Sequence, residues 1–236
     1  MEKAVYALWR PDAVSEDDFN GALMNEIAPR IAKDARAVRI NLKDAAVADG
    51  ASPRSIATDP QMDAIIQIWL DTAQDAARAP IDQIIERATK QFDAWLVSEA
   101  APIVNTIQIV PEGTRLPGFS QIVFLRRPAD MTWDDWRETW QQGHTGPAIE
   151  TQSNFEYLQN LVVRPLTENA VRYDAIIEEC FPIEALTDPL TYFDAPGDPE
   201  KMQANLKIMM DSVKKFIDHA RMDCFPTSQY DIKRLS

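Results

Sequence analysis

This chain is constrained most by being written twice. Val14, Ser15, Asp18 and Phe19 make a helix start: an apolar residue, a hydroxyl cap, an acid three places on, and a second apolar residue. Met131, Thr132, Asp135 and Trp136 repeat it, Thr132 lying 117 positions after Ser15. At that spacing Trp9-Arg10-Pro11 faces Arg126-Arg127-Pro128, so the strand leading into each helix repeats too. Asp63-Ala64-Ile65-Ile66 then returns letter for letter as Asp174-Ala175-Ile176-Ile177. A cap oxygen satisfies an orphan N–H of the first turn and the apolar pair staples the incoming chain, so these positions set local structure.

Each copy reads as strand, helix, strand, strand, helix, strand. In the first, residues 5–9 are apolar at consecutive positions, as in a strand covered on both faces. A helix is expected over 15–32, with Phe19, Leu23 and Ile27 at fourfold spacing, then strands over 37–42 and 63–70. A loop through Gly50, Ser52 and Pro53 separates those strands. Pro80 suits the first position of a second helix, whose stripe runs Ile81, Ile84, Ile85, Ala88, Phe92 and Trp95. A fourth strand is expected over 104–110. The second copy gives a strand over 122–125 and a helix from Thr132 that Gly143, Gly146 and Pro147 should end. Strands over 155–163 and 173–181 follow, then an irregular stretch over 182–197. Asp198 caps a last helix with stripe Met202, Leu206, Met209, Val213 and Phe216, before a short strand at 230–233. The turn-rich stretch from Pro111 to Gly118 divides two units, 1–111 and 119–236.

A βαββαβ unit is the ferredoxin-like split βαβ motif, whose helices cover one sheet face and leave the other bare. With a second copy in the same chain, the two sheets are expected to shelter each other in an α+β barrel with helices outside.

Composition excludes several roles. The chain has 24 basic and 37 acidic residues, a net charge of −13, and no basic stripe, so nucleic acid is not expected as a partner. No apolar run approaches a membrane span, and no export signal precedes the first strand. Cys180 and Cys224 are too few for a disulfide framework, and a cytoplasmic setting is expected for what read as two buried hydrophobes. No GxGxxG, P-loop, HExxH or CxxC pattern occurs, and two scattered histidines do not suggest a metal site, so neither metal nor other cofactor is expected.

The leading candidate for chemistry is His144, one turn after Trp140 on the stripe Trp133, Trp136, Trp140. An imidazole can serve as acid or base near neutral pH; equally, it can be a satisfied side chain at a helix end. Where the first copy has Gln67 and Ile68, the second has Glu178 and Glu179, one of which must point into covered space. Glu179 reads either as an ion pair with Arg126, Arg127 or Arg172, or as a catalytic carboxylate. Tyr157 and Tyr173 offer phenolic donors, and His219 reads as an ordinary helix residue.

On Arg127-Pro128, the helix from Thr132 through Trp140 to His144, Pro147, Tyr157 and the acidic pair Glu178-Glu179, the second copy resembles the EthD-domain family of the dimeric α/β-barrel superfamily. The chain then looks like a tandem form, two ferredoxin-like units folding as an intramolecular equivalent of the usual homodimer. Aligning Asn25 to Pro29 with Gly143 to Pro147 puts Glu26 opposite His144, so only the second copy would keep the family's histidine. The resemblance implies degradation of small organic compounds and an oxidoreductase, cyclase or isomerase. In that reading His144, Tyr157, Glu178 and Glu179 are the catalytic set, and Trp136, Trp140 and Tyr192 shape the pocket for a small, largely apolar ligand. Haem enzymes also occur on this fold, and there His144 would hold the haem. The alternative is a non-catalytic binding or accessory protein, and further homo-oligomerisation stays open in either case. A Trp-filled core around His144 would favour the alternative; a cavity holding His144 and a carboxylate would favour the enzyme.

Overall fold

Strands that are apolar on both faces need cover on both, and the chain provides it by closing a sheet on itself. The computed structural model describes residues 1–48, 50 and 54–235. Ser52 and Pro53, expected in the loop after the second strand, lie outside the described residues. The strands are β1 (Glu2–Trp9), β2 (Ala37–Leu42), β3 (Ala64–Leu70), β4 (Gln91–Ile103), β5 (Phe119–Leu125), β6 (Glu156–Pro165), β7 (Ala175–Phe181) and β8 (Asp223–Lys233). They form a closed antiparallel barrel in the order β1-β3-β2-β8-β5-β7-β6-β4, with β4 returning to β1. The copies join along two seams, β2 with β8 and β4 with β6. This is the α+β fold expected of a tandem dimeric α/β barrel.

Helices α1 (residues 16–31), α2 (Asp75–Glu86), α3 (residues 133–151), α4 (Pro189–Tyr192) and α5 (Pro199–Val213) lie outside the barrel. Ser15 and Thr132 cap α1 and α3 as read, each hydroxyl accepting the N–H three residues on at 3.1 Å. No helix among the described residues is long and apolar enough to cross a membrane.

Three expectations need correction. The helix around Pro80 starts earlier, at Asp75, and ends at Glu86, so Phe92 and Trp95 belong to β4. Spacings of three and four residues from Ala88 mimicked a helical stripe. In the structure Phe92 packs toward the helices and Trp95 into the barrel, as a period of two requires. Residues 104–110 are therefore not the fourth strand; they follow it without regular structure, Val104, Ile107 and Ile109 exposed. Nor does α3 end at Gly143, since a π turn over Thr139–His144 carries it past Gly143 and Pro147 to Thr151. Helix α1 has the matching π turn over Leu23–Ile27.

The barrel interior is filled, which decides where a ligand cannot go. One end holds an aromatic plug in which Trp95 packs 5.6 Å from Phe124 and 5.5 Å from Tyr173, centroid to centroid. The middle holds a polar network around Glu178, which is fully buried. One Glu178 oxygen accepts from Asn41 at 2.6 Å, Ser120 at 2.8 Å and Gln229 at 2.9 Å. The other accepts from Gln67 at 2.8 Å and Arg39 at 3.1 Å, and Arg39 also binds Glu156 and Asp231. Burial pushes the Glu178 pKa up, but the Arg39 charge and the amides of Gln229, Gln67 and Asn41 outweigh it and hold the carboxyl at about 2. Gln67 and Glu178 are the equivalent residues of the two copies, so the divergence at this point builds a bond between them.

Replacing Arg39 with Leu strands two buried carboxylates, and urea denaturation should show a loss of about 3–5 kcal/mol. The lowered Glu178 pKa adds stability above its ordinary value of 4.5 that is lost as the pH falls toward about 2. A Glu178→Gln variant should lack that acid limb; an Arg39→Leu protein as stable as wild type contradicts the network's role.

Candidate active site

Alternation along β7 separates its two acids. Glu178 and Cys180 point into the barrel, whereas Ile177 and Glu179 point out toward the helices. Between that outer face and helices α3 and α5 lies a cavity of about 290 Å³. Its floor is sheet: Gln121, Val123, Tyr157, Glu179 and Cys224. Its roof is His144 from α3, Met209 and Val213 from α5, and Phe216 just beyond. Tyr192 and Gln152 close one side, and Met210, His219 and Met222 are among the remaining walls.

His144 is 6% exposed and ends the π turn, the kind of helix irregularity that often marks functional positions. Its Nδ1 lies 2.9 Å from Ser212 Oγ on α5, and its ring packs 4.7 Å from Phe216. Burial lowers its pKa to about 4, so the imidazole is neutral at physiological pH.

Glu179 is the opposite case. Burial raises its pKa to about 7, opposed by one hydrogen bond from Asn154 Nδ2 at 3.1 Å. The expected ion pair does not form. Arg126 lies over the Tyr173 ring, Arg127 turns to Asp174, and Arg172 is exposed. The carboxylate that gained an arginine is Glu178, and Arg39 of the first copy supplies it.

The phenols beside Glu179 stay protonated. Burial and then the Glu179 charge raise the Tyr157 and Tyr192 pKa values. Tyr157 accepts from Gln159 at 2.9 Å, and Tyr192 accepts from Gln121 at 3.3 Å.

The structure thus brings together His144, Tyr157, Glu179 and Tyr192 and leaves out Glu178, on the barrel side of the sheet. Trp136 and Trp140 are wholly buried and pack on each other at 5.2 Å, behind the cavity rather than on its wall. Trp136 acts at one remove: its indole N–H donates to the Phe216 carbonyl at 3.0 Å, fixing the segment that lies against His144. Gln152, which lines the cavity, follows a helix end with no pattern to flag it. Cys224 is buried and His219 exposed as their sequence readings expect, and both also touch the cavity. Glu156, Glu178 and Cys180 bring ligand-type atoms within 4.8 Å of one another inside the barrel, but Arg39 and Gln229 already occupy the carboxylates. A haem does not fit at His144 either. Roughly 150 Å³ of apolar space holds benzene, so about 290 Å³ suits two fused rings and not a four-pyrrole macrocycle.

The first copy has no such arrangement among its described residues. Counted from the caps, Ile27 and not Glu26 stands opposite His144; Ile27 is buried whereas Glu26 is exposed. The sequence alignment was displaced by one residue because it matched Pro29 with Pro147. Ile68 stands opposite Glu179 and packs with Phe19, Leu23 and Ile27 in a closed core.

Converting the second copy toward the first, with His144→Ile and Glu179→Ile together, should raise stability by roughly 1–3 kcal/mol in urea, since two underused polar groups leave a buried site. Equal or lower stability contradicts this. The pH dependence of the two groups has opposite signs. Glu179, raised, contributes fully below about 4.5 and loses that contribution as the pH climbs to about 7; His144, lowered, contributes above about 6.5 and loses it toward about 4. In Glu179→Gln the stability should therefore climb more steeply with pH across 4.5–6.5 than in wild type; parallel curves would sink the assignment.

A family model described as the EthD domain matches residues 128–220. Among solved structures, an anthrone oxidase-like protein aligns over 100% of this chain and 95% of its own, with TM-score 0.57 and 10% identity. A protein from Fusobacterium nucleatum described as a monooxygenase aligns over 98% of this chain and 92% of its own, with TM-score 0.51 and 9% identity. At such identities the likeness concerns the fold. None of the curated proteins matches.

Proposed function

From the premise that residues 128–220 of this chain are an EthD domain, we propose a small-molecule enzyme that moves a proton on a largely apolar ligand held between β7 and α3. The observation that carries this is one cavity lined by Glu179 on its floor and His144 on its roof. Glu179 is the proton carrier, because its pKa of about 7 leaves both forms populated near neutrality. His144, neutral and anchored on Ser212, orients the ligand or accepts a hydrogen bond from it. The protonated phenols of Tyr157 and Tyr192 stand ready to bond an oxyanion as it forms. Proton abstraction next to a carbonyl, with the enolate held by a phenol, is the shared first step of isomerisations, cyclisations and cofactor-independent oxidations. The oxidase and monooxygenase names of two structural relatives are compatible with that step.

The test is hydrogen–deuterium exchange at the α-carbon of 2-tetralone, a two-ring ketone, followed by NMR. Wild type should catalyse exchange with a rate that rises with pH and levels off above about 7. Glu179→Gln should lose about 10²- to 10⁴-fold, and His144→Gln a smaller factor. Exchange unaffected in Glu179→Gln contradicts the role. Tight binding of the ketone with no exchange in wild type favours the non-catalytic reading.

A further inference from the structure

Gln152 belongs to neither the aromatic stripe nor the acidic strand, and among the described residues its Oε1 is the fully buried side-chain polar atom of the cavity lining that no hydrogen bond satisfies. It sits at the C-terminal cap of α3, is 5% exposed, and lines the cavity beside Tyr192. Its amide donates toward the Tyr192 phenol, opposing the rise in that phenol's pKa, which leaves the carbonyl oxygen as the end of the carboxamide available to a ligand. Its Oε1 has no hydrogen-bond partner among the described residues. Glu179, a second acceptor in the same lining, already receives Asn154 on one oxygen. The opposite walls, Met209, Val213 and Phe216, offer no polar side-chain atom. A buried carbonyl oxygen without a donor is a standing cost, and a ligand that supplies the donor relieves it.

We propose that the cavity selects an apolar molecule bearing one hydroxyl or amine, whose hydrogen is donated to Gln152 Oε1 while its rings fill the space under Met209 and Phe216. This rests on the reading of the cavity as a ligand site, and it adds the class of ligand that binds best: a phenol, enol (the enol form of a ketone included) or arylamine rather than a hydrocarbon or ether. Gln152 and Glu179 line the same cavity and both act on Tyr192, so the ligand's polar end shares the cavity with a group that can exchange its proton. Rejection of a donor-less analogue follows from the same geometry, because a site built around an unpaired acceptor discriminates more sharply than an apolar wall does.

Binding of 2-naphthol, 2-methoxynaphthalene and naphthalene to the whole protein, followed by tryptophan fluorescence, tests this. Wild type should bind 2-naphthol at least about tenfold more tightly than the other two. In Gln152→Met, which keeps the side-chain length without the acceptor, that preference should collapse while naphthalene binds as before or better. The comparison of three ligands in wild type needs no variant, so the inference stays exposed even if the substitution disturbs folding. If 2-methoxynaphthalene matches 2-naphthol, or Gln152→Met keeps the preference, the donor inference falls and the cavity reading stands. If none of the three binds wild type, both fall together.

Discussion

Everything in this structure depends on two strand seams. A four-stranded ferredoxin-like sheet has two open edges and one bare apolar face, each a liability in water. Pairing β2 with β8 and β4 with β6 removes all four edges at once and turns both bare faces inward. The outer faces, with their helices, are then free to diverge. One copy keeps a packed interface between sheet and helices, and the other opens it.

The divergence comes down to a few positions. Ile27 against His144 and Ile68 against Glu179 convert an apolar core into a site with one neutral imidazole and one carboxyl near its midpoint at neutral pH. On the inner face, Gln67 against Glu178 does the reverse, binding the copies together through a fully bonded carboxylate that has no chemistry to spare. Neighbouring residues on one strand thus have opposite fates, set by which face each occupies. Glu178 meets five donors and ionises fully; Glu179 meets one and does not.

The repeat made the barrel legible, because caps and strand pairs at a constant spacing report topology directly. His144 was legible as the end of an aromatic stripe, and Glu179 as the point where the second copy breaks the first's apolar pattern at Ile68. The end of α2 was not, since Phe92 and Trp95 continue a helical spacing by chance and only pairing with β1 and β6 claims them for β4. The partner of Glu178 was not legible either. Arg39 lies 139 residues away and on the other copy, a distance no local pattern spans. Trp136 and Trp140 looked like pocket walls because an aromatic stripe has the same spacing whether it faces a ligand or a core. Gln152 had no signal in its neighbours at all. Its unpartnered oxygen shows only once the chain is folded around the cavity.

That, among the described residues, only the second copy is hollow between sheet and helices can be tested without knowing any substrate. Xenon enters small apolar cavities and is seen directly by its anomalous scattering in a pressurised crystal. Xenon should appear between Glu179 and Met209, with none between Ile27 and Ile68. Xenon in both halves, or in neither, contradicts it.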